Sequence, residues 1–165
     1  MLEACIRLGQ PVHHWNIALY HWFTGDVAAA AARVAGREHE QNAHFQDILG
    51  CVEAAAGRPA EAEAAFCRAL TIHGVHAGPI LHLGALLLRQ DRLDEAEALL
   101  LGDHAVAASP DSVALGVQPG FYRLLAELFD RRSDAATAAT ARARAAQLDQ
   151  LARDVPAVGV TLLHW

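Results

Sequence analysis

Residues 43–70, AHFQDILGCVEAAAGRPAEAEAAFCRAL, decide the fold. On either side of Gly57-Arg58-Pro59 the apolar residues recur at three- and four-residue spacing, which predicts two amphipathic helices joined by a tight turn. The pattern then returns after 34 residues: Leu49-Gly50 as Leu83-Gly84, Ala62 as Ala96, and Phe66 as the similarly apolar Leu100. A period of this length belongs to chains built from stacked supersecondary units, none of which can cover its apolar face alone.

Working outward, the same marks divide the whole chain. Upstream, Pro11 opens a helix that is expected to run to about Phe23, Thr24-Gly25-Asp26 breaks it, and Asp26 caps an Ala-rich helix over Val27 to Arg37. Ile17-Ala18 and Ala30 stand where Leu49-Gly50 and Ala62 stand later, so residues 11–42 form a degenerate first repeat and 43–76 the second. Residues 77–104 form a third, with Pro79 in the first turn, Asp91-Arg92 as the turn and a helix over Leu93 to Leu101 that Gly102-Asp103 ends early or kinks.

Residues 105–118 depart from the period and contain Ser109-Pro110-Asp111-Ser112, a turn signal, so they read as an insertion on the rim. Phe121 to Arg131 and Asp134 to about Asp154 make the last pair, within a repeat over 119–152, and Ser133 or Asp134 caps its second helix. The many alanines of that helix are expected to permit close helix approach and to give high intrinsic helicity. Residues 155–165 are an apolar tail that either folds back or docks into another chain. The first ten residues resemble the end of a repeat helix, so the chain starts mid-pattern, as a segment of a longer array or a degenerate cap. Residues 1–165 are read as a single domain.

Leu49, Gly50, Ala62, Phe66 and Ala69 resemble the tetratricopeptide repeat (TPR) family at its small and aromatic consensus places. The resemblance implies an all-α fold, a right-handed α-solenoid of antiparallel helix pairs with about eight helices, whose concave face is lined by the first helix of each pair. The family's inward places fall here on Trp15, Asn16, Leu19 and Trp22, then on His44, Asp47, Cys51 and Ala55. The last two repeats contribute Leu81, His82, Ala85, Leu88 and Arg89, then Arg123, Glu127 and Arg131.

Some family members grip a peptide carboxylate with Lys and Asn. Here there is no Lys, and Asn16 and Arg123 lie on distant helices, so that mode is rejected. Residues 15–21, Trp-Asn-Ile-Ala-Leu-Tyr-His, are also similar to a segment of the tetratricopeptide repeat protein 38 family, and Pro79 to His82 to the bacterial secretion chaperones built from three such repeats. The implied function is a non-enzymatic, chaperone-like scaffold or adaptor that holds a peptide or amphipathic helix of a partner protein.

Composition narrows the alternatives. All 13 basic residues are Arg, the net charge is −6, and no basic stripe is present to meet nucleic acid or anionic lipid. No apolar run approaches the roughly 20 residues of a membrane span, and no leader pattern opens the chain, so a cytoplasmic protein is expected. Cys5, Cys51 and Cys67, odd in number and without close spacing, suit reduced thiols. Arg without Lys, together with much Ala, points to a bacterial genome rich in GC.

Ten histidines raise the rival reading of a metal-binding or catalytic accessory subunit. His73 and His76, with Cys67 upstream, supply a candidate ligand set, while His14 and His21 read as packing residues and His39 as solvated. None of these matches a known zinc spacing, and no nucleophile elbow or phosphate loop is present, so neither enzyme activity nor a cofactor or metal is expected. The apolar content of 53% leaves room for a homo-oligomer through the tail, or for a packing role of the large groove residues within the fold itself.

Overall fold

The computed structural model describes residues 14–72, 77–102 and 119–154. The described residues form eight helices and no strand: α1 His14–Phe23, α2 Val27–Val34, α3 Ala43–Ala55, α4 Pro59–Ile72, α5 Ala77–Arg89, α6 Leu93–Leu101, α7 Pro119–Arg131 and α8 Ala135–Asp154. The first thirteen residues, His73 to His76, the 105–118 insertion and the 155–165 tail lie outside the described residues, with the expectations that fall on them.

Four turns of one design join the helices in pairs. Gly25 (φ 79°), Gly57 (φ 74°), Asp91 (φ 57°) and Ser133 (φ 62°) each take the left-handed conformation just after the first helix of a pair. The next residue's N–H then donates to a carbonyl five residues back: Asp26 to His21, Arg58 to Glu53, Arg92 to Leu87 and Asp134 to Phe129. Such bonds satisfy carbonyls that the ending helix leaves unpaired. Two of the four turns manage without glycine, because short polar side chains tolerate this conformation better than branched ones. Asp26 and Asp134 then cap the following helices, their carboxylates accepting from the Ala29 and Thr137 backbone N–H groups. Of the two caps expected for α8, Asp134 is the one used.

Within a pair, α1 packs on α2, α3 on α4, α5 on α6 and α7 on α8. Between pairs, α2 meets α3, α4 meets α5 and α6 meets α7, while α1, α3, α5 and α7 touch in series. Three apolar clusters follow this order. Ala18, Ala30 and Val34 join Phe45, Ile48 and Leu49; Phe66 joins Leu83, Leu87 and Leu128; Ile80 and Leu100 join Phe121, Leu125 and Ala141. Ala30, Ala62, Ala96 and Ala138, the recurring alanine of each second helix, are all completely buried.

The Leu-Gly signal has a direct steric meaning. A Cβ at Gly50 would overlap the Phe66 ring, and one at Gly84 would come 3.0 Å from Leu100 Cδ2. Each glycine of the first helix is therefore a notch filled by the large residue of the second, which brings the two axes close.

Three expectations are corrected. The Ala-rich helix stops at Val34 rather than Arg37, because Gly36 turns left-handed (φ 74°) and gives its N–H to the Glu38 carboxylate. Pro59 is the first residue of α4 instead of part of the turn, at the place where its missing N–H costs nothing. Of the alanines in α8 only Ala138, Ala141 and Ala145 are buried; Ala135, Ala136, Ala139, Ala143 and Ala146 face solvent, so they serve helix propensity and not close approach. Gln46, also buried, ties the loop after α2 to α3: its amide donates to the Glu38 and Glu40 carbonyls at 2.9 and 2.8 Å and accepts from Arg68.

Candidate functional site

Three residues from the series of first helices converge on one point. Asp47 and Cys51 are four apart on α3, hence stacked on one face, and His82 comes across from the neighbouring α5. His82 Nδ1 lies 2.8 Å from Asp47 Oδ1 and 3.4 Å from Cys51 Sγ. The Phe66 ring of α4, seated in the Gly50 notch, stands behind the imidazole with ring centres 5.8 Å apart. Asp47 and Cys51 are mostly covered, while the His82 side chain is 43% exposed, so the cluster opens to solvent on the histidine side.

The protonation of His82 follows from these contacts. Loss of solvent pulls its pKa down, but the hydrogen bond to Asp47 and the contact with the Cys51 sulfur outweigh this and push it up to about 10. The imidazolium therefore persists at neutral pH, its Nδ1–H donating to Asp47. The carboxylate and the sulfur meet the same ring nitrogen, so the ring cannot pass a proton from sulfur on one side to carboxylate on the other. A nucleophilic Cys-His-Asp relay, in which the two partners use different nitrogens, does not describe this geometry.

The other expected groove residues divide into surface and core. Asn16, Leu19, Trp22, His44, Leu81 and Ala85 are half-buried, and Arg89 is exposed. Leu19 packs against the cluster around Phe45, Trp22 against both that cluster and the one around Phe66, and Leu81 against the cluster around Phe121. Leu88 is wholly buried beside Leu128, so it offers no surface and is removed from the groove. Its carbonyl accepts from Arg131 Nη1 at 2.6 Å, which ties α7 to the end of α5.

Arg123 pairs with Asp149 of α8 and Glu127 with Arg131, both at 2.6 Å. The Trp15 side chain lies outside those described. His39 is exposed as expected, and His21 sits 3.8 Å from Asp26 at the first turn.

Asp47, Cys51 and His82 were each placed inward by register, but not together. The register carries part of the signal, a Cys one turn after an Asp on one inward face and a His on the inward face of the next repeat, but not the offset that brings them together. Gln46 was missed altogether, since nothing in the period marks an irregular loop.

No family model matches the chain, and no curated protein matches it. Among the described residues, no helix is long and apolar enough to cross a membrane.

Proposed function

We propose that the chain is a TPR-like interaction module, a right-handed solenoid whose α1, α3, α5 and α7 line a concave face that takes an apolar segment of a partner protein. The observation that supports this reading is the serial contact of those four helices, each followed by an equivalent turn, as expected where successive repeats share one face. Half-buried Leu19 and Trp22 of α1 and Leu81 and Ala85 of α5 supply its apolar ground, and exposed Arg89 of α5 its charge. Apolar ground that also carries a charge suits an amphipathic helix whose anchors bury on Trp22 and Leu81. The protein acts by binding and carries out no reaction of its own.

A random peptide library displayed on phage and panned against the full chain supplies ligands without knowledge of the natural partner. Titration of an enriched apolar peptide is expected to weaken at least about tenfold in Ala85→Arg, on the face, and to stay unchanged in Ala98→Arg, on exposed α6. Equal affinity in both variants, or no enrichment, overturns the proposal.

A further inference from the structure

We infer that Asp47, Cys51 and His82 form a binding site for a divalent transition metal of the zinc class, held by one oxygen, one sulfur and one nitrogen donor. The three ligand atoms lie within 4.8 Å of one another. In a tetrahedral zinc site, bonds of about 2.0 Å to nitrogen and 2.3 Å to sulfur place those two atoms about 3.5 Å apart. The observed 3.4 Å between Cys51 Sγ and His82 Nδ1 already has that span. Asp47 Oδ1, at 2.8 Å from the same nitrogen and within 4.8 Å of Cys51 Sγ, joins them by a rotation of its carboxylate that moves it out from the nitrogen by about half an ångström.

The donor set also selects the ion. Carboxylate, thiolate and imidazole together are ligands of zinc and its borderline neighbours, whereas calcium and magnesium take oxygen alone. A carboxylate and a thiolate balance the two positive charges of the ion, so the loaded cluster is neutral in a setting where two of its three ligands are covered. Coordination needs the Nδ1 lone pair and the thiolate, so the Nδ1 and Sγ protons leave to solvent as the metal enters.

Both supporting elements are helices, and Phe66 fixes the ring from behind, so the site is pre-formed on rigid ground. Three protein ligands leave a fourth position, which faces solvent on the half-exposed histidine side and takes water in the isolated chain. None of the three residues belongs to the Cys67, His73 and His76 set that the sequence pattern offered, and the site does not depend on the face having an occupant.

The test is a titration of the full-length chain, purified without a histidine tag, stripped of metal and kept reduced, with cobalt(II) as the probe. One equivalent is expected to give a near-ultraviolet thiolate-to-cobalt charge-transfer band and the intense visible bands of a tetrahedral site, with zinc abolishing both by displacement. Cys51→Ser, close to isosteric, loses the charge-transfer band while the helical circular dichroism is retained. His82→Ala and Asp47→Asn weaken cobalt binding by about a hundredfold or more, since even outer-shell losses cost 10–100-fold. Cys67→Ser leaves the spectrum unchanged. A spectrum that remains that of the hydrated ion, or a band that follows Cys67 and ignores Cys51, overturns the inference.

Discussion

The α3–α4 and α7–α8 pairs share five buried apolar places and part at the contact between the first helix's notch and its filler. Phe45 and Phe121, Leu49 and Leu125, Ala62 and Ala138, Ala65 and Ala141, and Ala69 and Ala145 occupy matching places and are all buried. At that contact, Gly50 faces Phe66 in one pair, while the other has Ala126 on the first helix and Arg142 on the second. Arg142 does not enter the notch: it is exposed and pairs with Asp130 of α7.

Phe66 belongs to a cluster with Leu83 and Leu87 of the next pair and Leu128 of the last, so a large residue there serves the contact between pairs as much as the contact within one. The α7–α8 pair also meets its predecessor through apolar contacts, Ile80 and Leu100 with Phe121 and Leu125, but adds arginines at the rim. Arg132 bridges Asp94 and Glu97 of α6, and Arg131 holds the Leu88 carbonyl. Apolar fill and guanidinium straps are thus two ways of joining neighbours, and they should differ sharply in worth.

Truncation is the most severe way to test the difference. Phe66→Ala opens a void shared by two pairs and is expected to cost about 3–5 kcal/mol, a large share of the roughly 5–15 kcal/mol by which an ordinary domain is stable. Arg142→Ala removes an exposed ion pair and is expected to cost less than about 1 kcal/mol. Urea denaturation followed by circular dichroism separates the two. Comparable losses would mean that the arginine end is as tightly built as the middle.

A smaller effect reverses the logic. Gly50→Ala fits the helix better by propensity, but its methyl must displace the Phe66 ring, so a net loss of about 1–3 kcal/mol is expected. The first repeat already shows the alternative solution, Ala18 with Val34, both buried in one cluster. Adding Phe66→Val to Gly50→Ala should therefore cost less than the sum of the single changes, by about 1 kcal/mol or more in a double-mutant cycle. Additivity would show that the notch and its filler are not one unit.

That coupling also explains how much the sequence could tell. Leu49-Gly50, Leu83-Gly84 and the four recurring alanines mark the helix pairs because one steric requirement repeats at each of them, and all four turns followed from that register even where Asp91 and Ser133 replace glycine. Leu88 was misplaced because the periodicity gives its face but not the neighbour, and Leu128 from the next pair shares the cluster that closes over it. Exposed alanines in α8 were indistinguishable from buried ones, since composition does not say which side has a partner. The Asp47, Cys51 and His82 cluster needs the relative offset of two successive pairs, a quantity of a few ångströms that no spacing along the chain encodes.

The subtlest effect concerns a seam that titrates, the one between α3 and α5. The polar link from α3 to α5 is His82 with Asp47, whereas the polar links from α7 to its predecessors are made by Arg131 and Arg132. His82 has a folded pKa of about 10 against about 6.5 when unfolded, so the folded state binds the extra proton between these values. Its contribution is fully present below about pH 6.5 and is lost as pH rises through about 10, because the unfolded chain gives up the proton first.

With 43% of the side chain exposed, solvent screening holds the contribution to under about 1 kcal/mol. The melting temperature of the metal-free protein is expected to fall slightly more between about pH 6.5 and 10 than that of Asp47→Asn, which keeps the shape and removes the charge that raises the histidine. Parallel curves for the two would mean that the imidazole is not held protonated by Asp47. A steeper fall in the variant would reverse the assigned sign and place the neutral ring, rather than the imidazolium, in the folded state.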